Sequence, residues 1–203
     1  MGIVNRHHPA HGAFLVAALI LCSCRSAGPI VDEYLDRRSG ATVTTAGAPV
    51  VFARTDARYS RSGRDYLYLG PVSVNRQGFR EHYLWIGLGT TLDRGYLAPE
   101  KSAPRALHLV VGGEPMEFTL GPWDTVVAMT RTEPEYRTRV TLTSEWAARV
   151  TLDQIARIAN ASIASAHVTD ATGSQTYSSW EPGDWSRFLL QEGVAETAAS
   201  ATR

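Results

Sequence analysis

The chain has 203 residues, with 20 basic and 20 acidic side chains and no formal net charge. That balance, without any block of like charge, provides no field to gather nucleic acid or another polyanion. The two cysteines, Cys22 and Cys24, both lie near the N-terminus, which excludes a disulfide framework or a cysteine-based metal centre in the rest of the chain.

Arg6, with His7, His8 and His11 beside it, makes a short polar start, and Ala13 to Leu21 follows as an unbroken apolar run. Nine residues are too few for a bilayer, which needs about 20, so the run reads as an export signal. It ends in Leu21-Cys22-Ser23-Cys24, with an aliphatic residue three places before Cys24 and a small residue directly before it. This resembles the lipobox of bacterial lipoproteins. The resemblance implies cleavage before Cys24, acylation of that cysteine and a membrane anchor through the lipid. Ser23 favours Cys24 over Cys22, which would have the bulky Leu21 at the cleavage position. Cys22 at the second place before Cys24 departs from the usual pattern, and ordinary signal-peptidase cleavage near Ser23 is the alternative. Arg25, where an acidic residue would signal inner-membrane retention, implies the outer membrane of a Gram-negative bacterium. The likeness covers only the first two dozen residues and implies an address, not an activity. It divides the chain into a signal peptide (1–23), a tether containing Gly28-Pro29 (24–30), one domain (31–193) and a flexible tail (194–203).

Within the domain, Tyr34 to Gly40 leads into two β-branched runs, Ala41 to Thr45 and Pro49 to Arg54, which read as a small opening hairpin. Thr55 to Gly63 is polar and reads as a loop. The most regular stretch is Arg64 to Leu92. Tyr66, Tyr68, Val72 and Val74 alternate with Leu67 and Leu69, and Tyr83 and Trp85 alternate with His82, Leu84, Ile86 and Leu88. A period of two predicts strands, and the four-residue connection Asn75 to Gly78 predicts an antiparallel hairpin at the centre of the sheet.

Asp93 to Ala106 has no periodicity and forms the longest irregular insertion. Leu107–Val111 and Met116–Leu120 flank Gly112-Gly113 as a further hairpin, Gly121 to Asp124 is a turn, and Thr125 to Thr130 reads as a strand. Apolar even positions from Tyr136 to Val150 predict a strand with one wet side. Thr151-Leu152-Asp153-Gln154 then has the form of a capping box and opens a helix over 152–161. Ile163 to Thr169 and Ser174 to Ser179 read as a strand pair, and Pro182 to Glu192 as a second helix closed by Gly193. The expected fold is α+β: β-rich, an antiparallel two-layer sheet or sandwich with two short C-terminal helices.

Chemistry is less legible. His82, His108 and His167 stand singly on predicted strands, without metal-ligand spacing, so neither a metal nor another cofactor is expected. Glu81 and His82 are adjacent on a strand and point to opposite faces, so they make no dyad. Gly87-Leu88-Gly89 lacks phosphate-loop spacing and instead leaves room for a neighbouring ring. The constellation able to bind a partner is the face carrying Tyr66, Tyr68, Tyr83 and Trp85, if those rings meet solvent; the favoured reading is that they fill the core or support a helix, because large aromatics supply much of a core's buried area. The reading that results is a non-enzymatic envelope lipoprotein that binds a protein or an envelope polymer such as a glycan. The alternative is an envelope enzyme acting on a glycan or peptide near the 64–92 hairpin.

Overall fold

The computed structural model describes residues 31–55, 63–92, 103–128 and 135–194. Cys24 with the signal peptide and tether, the loop at 56–62, most of the 93–106 insertion and the tail from 195 lie outside the described residues. No described helix is long and apolar enough to cross a membrane.

The central hairpin is present as β4 (Arg64–Arg76) and β5 (Phe79–Thr90). Its ladder runs from Asp65↔Thr90 to Arg76↔Phe79, leaving a turn of two residues where a four-residue connection was expected. Gln77 and Gly78 both take positive φ, 52° and 92°, the geometry whose twist matches that of the strands. The Asn75 side-chain oxygen accepts from the Gly78 N–H at 2.9 Å.

Because β4 is long, its other edge holds two strands end to end. β2 (Ala41–Ala46) pairs with it from Asn75 to Val72, and β3 (Val50–Thr55) from Leu69 to Arg64. The expected hairpin between these two runs is therefore corrected: they follow one another along β4. Residues 47–49 form the step, where Pro49 has no N–H to give to a ladder. The hairpin partner of β2 is instead β1 (Val31–Asp36). Its turn is closed by Asp36, which accepts from the Ser39 N–H and hydroxyl, and by Gly40 at φ 68°.

On the far side of β5 comes β9 (Leu142–Val150), and then the short β8 (Gly121–Pro122). Beyond β3 come β11 (Gly173–Glu181), β10 (Ser165–Asp170), β6 (Ala106–Val111) and β7 (Glu114–Thr119). All pairings are antiparallel, in the order β7-β6-β10-β11-β3-β4-β5-β9-β8. The two end strands of that order, β7 and β8, are separated in the chain by Leu120 alone, and the sheet curls nearly into a barrel. This is the expected β-rich α+β fold, with one curled sheet supplying its layers.

Two short helices lie where the C-terminal pattern placed them. In α2 (Leu152–Ala159) the Gln154 N–H donates to the Thr151 hydroxyl at 3.2 Å and the Thr151 N–H to the Gln154 side chain at 2.8 Å, which completes the capping box. In α3 (Ser186–Gln191) Gly193 sits at φ 86°, with Val194 N–H bonded to Leu189 C=O and Gly193 N–H to Leu190 C=O, a Schellman stop. Val194, the first residue of the expected tail, packs against the core.

A third helix, α1 (Trp123–Val127), replaces the turn at 121–124 and the start of the strand expected over 125–130; residues 129 and 130 lie outside the described residues. Pro122 has a φ suited to a helix entry, and Trp123 and Val127, four apart, are both buried. That helical spacing prevails over the β-branched composition.

The strand expected from Tyr136 also begins later, at Leu142. Residues 135–141 instead cross over the central hairpin. A Cβ on Gly70 would lie 2.4 Å from the Tyr136 ring, and one on Gly89 would lie 2.7 Å from Val140. The even-numbered apolar residues do face the core, but those before Leu142 do so as a covering segment.

Candidate functional sites on the sheet

The face proposed from sequence as a binding platform is closed. Tyr66, Tyr68, Tyr83 and Trp85 are all buried, at 9, 1, 3 and 0 % exposure, so these four rings are core and not a solvent-facing site. Cross-strand register explains how they pack. Tyr66 lies opposite Gly89, Tyr68 opposite Gly87 and Trp85 opposite Gly70, so these three rings each face a residue with no side chain, while Tyr83 faces Val72. Tyr136 fills the space over Gly70, its ring 5.1 Å from that of Trp85. Its hydroxyl accepts from the Ala46 N–H at 3.2 Å and donates to the Pro71 carbonyl. The Trp85 indole N–H donates to Glu145 at 2.8 Å. The opposite face, with Leu67, Leu69, Leu84 and Ile86, is fully buried as well, and the hairpin is a scaffold on both sides. Burial raises the hydroxyl pKa values of Tyr68 and Tyr83, and raises that of Tyr136 furthest.

Glu81 and His82 diverge as their adjacency requires. Glu81 accepts from Arg76 at 2.6 Å, from Arg149 at 2.8 Å and from the Tyr83 hydroxyl at 3.1 Å. His82, on the other face, meets Glu192 at the end of α3, with 2.9 Å between Nε2 and the carboxylate, and Arg80 reaches the same carboxylate at 3.1 Å. Ser73, directly across from His82, hydrogen-bonds to Glu192 too. Burial alone raises the Glu192 pKa, but the bonds from His82 and Ser73 and the charge of Arg80 hold it below the usual carboxylate value. A serine, a histidine and a glutamate thus converge on the hairpin, but in the wrong order for nucleophilic catalysis. The imidazole would have to stand between hydroxyl and carboxylate, and here the carboxylate takes both. With its side chain 2 % exposed, Glu192 clasps α3 to the sheet.

Two exposed constellations lie elsewhere, and both come from strand pairings far apart in sequence. On the outer face of β7, β6, β10 and β11, one rung reads Glu117, His108, His167, Thr176. His108 Nδ1 is 3.8 Å from Glu117. His167 Nδ1 is 2.9 Å from the Thr176 hydroxyl, and its Nε2 is 3.3 Å from that of Ser165. The two histidines read as solitary in sequence are cross-strand neighbours. No group of three or more metal-ligating side chains placed to hold one metal ion occurs among the described residues.

The second constellation is at the junction of β11 and β3. The register shifts between Ser179 and Glu181, which makes Trp180 the extra residue of a bulge, and bulges re-aim side chains. Trp180 is 44 % exposed, and the Arg64 guanidinium lies 4.2 Å from its ring centroid, a cation–π contact. Glu181 next to it is paired with Arg139. Nothing in the local sequence separates Trp180 from the aromatic residues of the core. Its exposure follows from the bulge, and the bulge from how β11 meets β3.

No family model, curated protein or solved structure matches this chain.

Proposed function

We propose that the protein is an envelope lipoprotein, anchored through Cys24 in the outer membrane of a Gram-negative bacterium, whose domain binds an envelope glycan without transforming it. The address rests on Leu21-Cys22-Ser23-Cys24 after the apolar run. Binding rests on one observation: Trp180 stands out from the sheet on a bulge, with Arg64 against its ring. An aromatic surface with one side supported and the rest open suits the apolar face of a sugar ring. The Ser165, His167 and Thr176 hydroxyl and imidazole groups on the same sheet supply both donors and acceptors.

The address is tested by globomycin treatment and by Cys24→Ala, either of which should leave the precursor unprocessed and shift it from the outer- to the inner-membrane fraction, because the uncleaved apolar run stays attached. Binding is tested by co-sedimentation of the protein with purified peptidoglycan and, separately, with lipopolysaccharide. Trp180→Ala should lower retention on one of them about tenfold, as expected for the loss of an exposed stacking contact of roughly 1.4 kcal/mol. Retention equal to wild type, or no retention by the wild-type protein, would remove this site.

A further inference from the structure

The end of the sheet that carries the central turn has a composition unlike the rest of the surface. In register, Leu35 lies opposite Thr42, Thr42 opposite Asn75, and Asn75 opposite Arg80. One rung further out are Asp36↔Ala41 and Arg76↔Phe79, so the turns at 37–40 and 77–78 leave the sheet side by side. Phe79 is 81 % exposed and Leu35 60 %. Leu190, 51 % exposed, is held at the same end by its neighbours, because Gln191 donates to Glu33 at 2.9 Å and Glu192 binds Arg80 and His82. These are three of the five large hydrophobic side chains exposed among the described residues.

The side chains beside them include Arg37, Arg38, Arg76, Arg80 and Arg149 against the carboxylates of Glu33, Asp36, Glu81 and Glu192, an excess of one positive charge. Asp36 is engaged by Ser39, Glu81 by Arg76 and Arg149, and Glu192 by Arg80 and His82. Arg37 and Arg38, at the tip of the β1–β2 turn, are exposed and have no carboxylate partner among the described residues. Exposed apolar side chains flanked by arginines suit the boundary between acyl chains and anionic headgroups.

Chain length is compatible with this. From Cys24 to Val31 the backbone spans at most about 25 Å, and β1 from Val31 to its turn is roughly 17 Å long, so an anchor at Cys24 is within reach of that end. We infer that the turn end of the sheet, with Phe79, Leu35 and Leu190 exposed and Arg37 and Arg38 at the β1–β2 turn, docks on an anionic bilayer surface and orients the domain on its membrane. The inference rests on the anchoring proposed above; the occupant is lipid because the arginines complement anionic headgroups.

Apart from Cys22 and Cys24 the chain has no cysteine, so acylated protein carries a label only where a cysteine is introduced. The full protein with Phe79→Cys, labelled with an environment-sensitive fluorophore, is reconstituted in vesicles of phosphatidylethanolamine with phosphatidylglycerol, or of phosphatidylcholine alone, each with brominated acyl chains. Val110→Cys, on an exposed position of β6, is the reference. The probe at 79 should shift to the blue and be quenched in the anionic vesicles, more than in phosphatidylcholine and more than the probe at 110. Combined Arg37→Glu and Arg38→Glu should remove about half or more of that quenching, since each arginine near the surface adds to the attraction. Equal quenching at 79 and 110, equal quenching in both vesicle types, or a blue shift of the probe at 79 without vesicles, as self-association would give, overturns the inference. Vesicle flotation of wild type against Cys24→Ala reads the anchor separately. Failure of the wild type to float removes both proposals, whereas flotation with the probe at 79 still in water removes the docking alone.

Discussion

The ring of Tyr136 occupies the space that a side chain on Gly70 would need. A Cβ there would lie 2.4 Å from the ring carbons Cε2 and Cζ. Gly70→Ala must therefore displace Tyr136 from between Trp85 and the β2–β4 backbone. A cost of about 1–3 kcal/mol is expected in urea unfolding, the range for overpacking a closed core. In a Tyr136→Ala background the same change should cost much less, and a double-mutant cycle showing no such coupling would mean that the ring does not pack there.

Tyr136 also makes a prediction about alkaline pH. Burial holds its hydroxyl pKa well above 10.0 in the folded chain, against an ordinary value of 10.0. The folded state therefore binds the proton more tightly than the unfolded one. Its contribution to stability is complete below about pH 10 and falls as pH rises from there towards the folded-state pKa. Tyr136→Phe should flatten this alkaline decline. It should also cost about 1–3 kcal/mol at neutral pH, because the buried Ala46 N–H loses its acceptor. Equilibrium unfolding of both proteins across the alkaline range measures the two effects together.

At the acidic end the corresponding group is Glu192. Its carboxyl is held below the usual value of 4.5 while its side chain is 2 % exposed. A depressed pKa adds stability that is present above about pH 4.5 and is lost as pH falls through the folded-state value. Glu192→Gln should remove that component of acid unfolding and cost roughly 2 kcal/mol at neutral pH, since His82 and Arg80 lose their shared partner. If the acid limb of the stability profile is the same with glutamine at 192, the clasp between α3 and the hairpin contributes no pH dependence.

The central turn should be improvable. Gln77 sits at φ 52°, a region that costs most side chains roughly 1 kcal/mol and asparagine less. Gln77→Asn should raise stability by about 0.5 kcal/mol, read as a higher midpoint in thermal unfolding with the slope of the transition unchanged. An unchanged or lower midpoint would argue against the two-residue turn.

What sequence reading reached in this chain is what depends on neighbours along the chain. The alternation in 64–92, the capping box at Thr151 and Gln154 and the glycine stop at Gly193 each express a local geometric requirement, and each is met in the structure. The expectation that Gly87 leaves room for a ring is likewise met, because the residue opposite is Tyr68 and a Cβ at 87 would lie 2.5 Å from Trp85. Local pattern failed where two periods compete over a few residues, as at Trp123–Val127, and where an apolar alternation served a covering segment, as at Tyr136 and Val140.

Only the tertiary structure decided which polar and aromatic groups meet and which of them see solvent. Period two states that Tyr66, Tyr68, Tyr83 and Trp85 share a face, but whether that face is wet depends on residues 135–141 lying over it. His108 and His167 become neighbours through the pairing of β6 with β10, and Glu192 reaches His82 from 110 residues away. Trp180 is presented by a bulge that exists because β11 changes register against β3. Strand alternation is set by backbone sterics within a few residues, whereas burial and long-range pairing are set by how the whole sheet closes. For that reason the central hairpin could be read from its sequence as a strand pair, while its role as scaffold was decided by the fold.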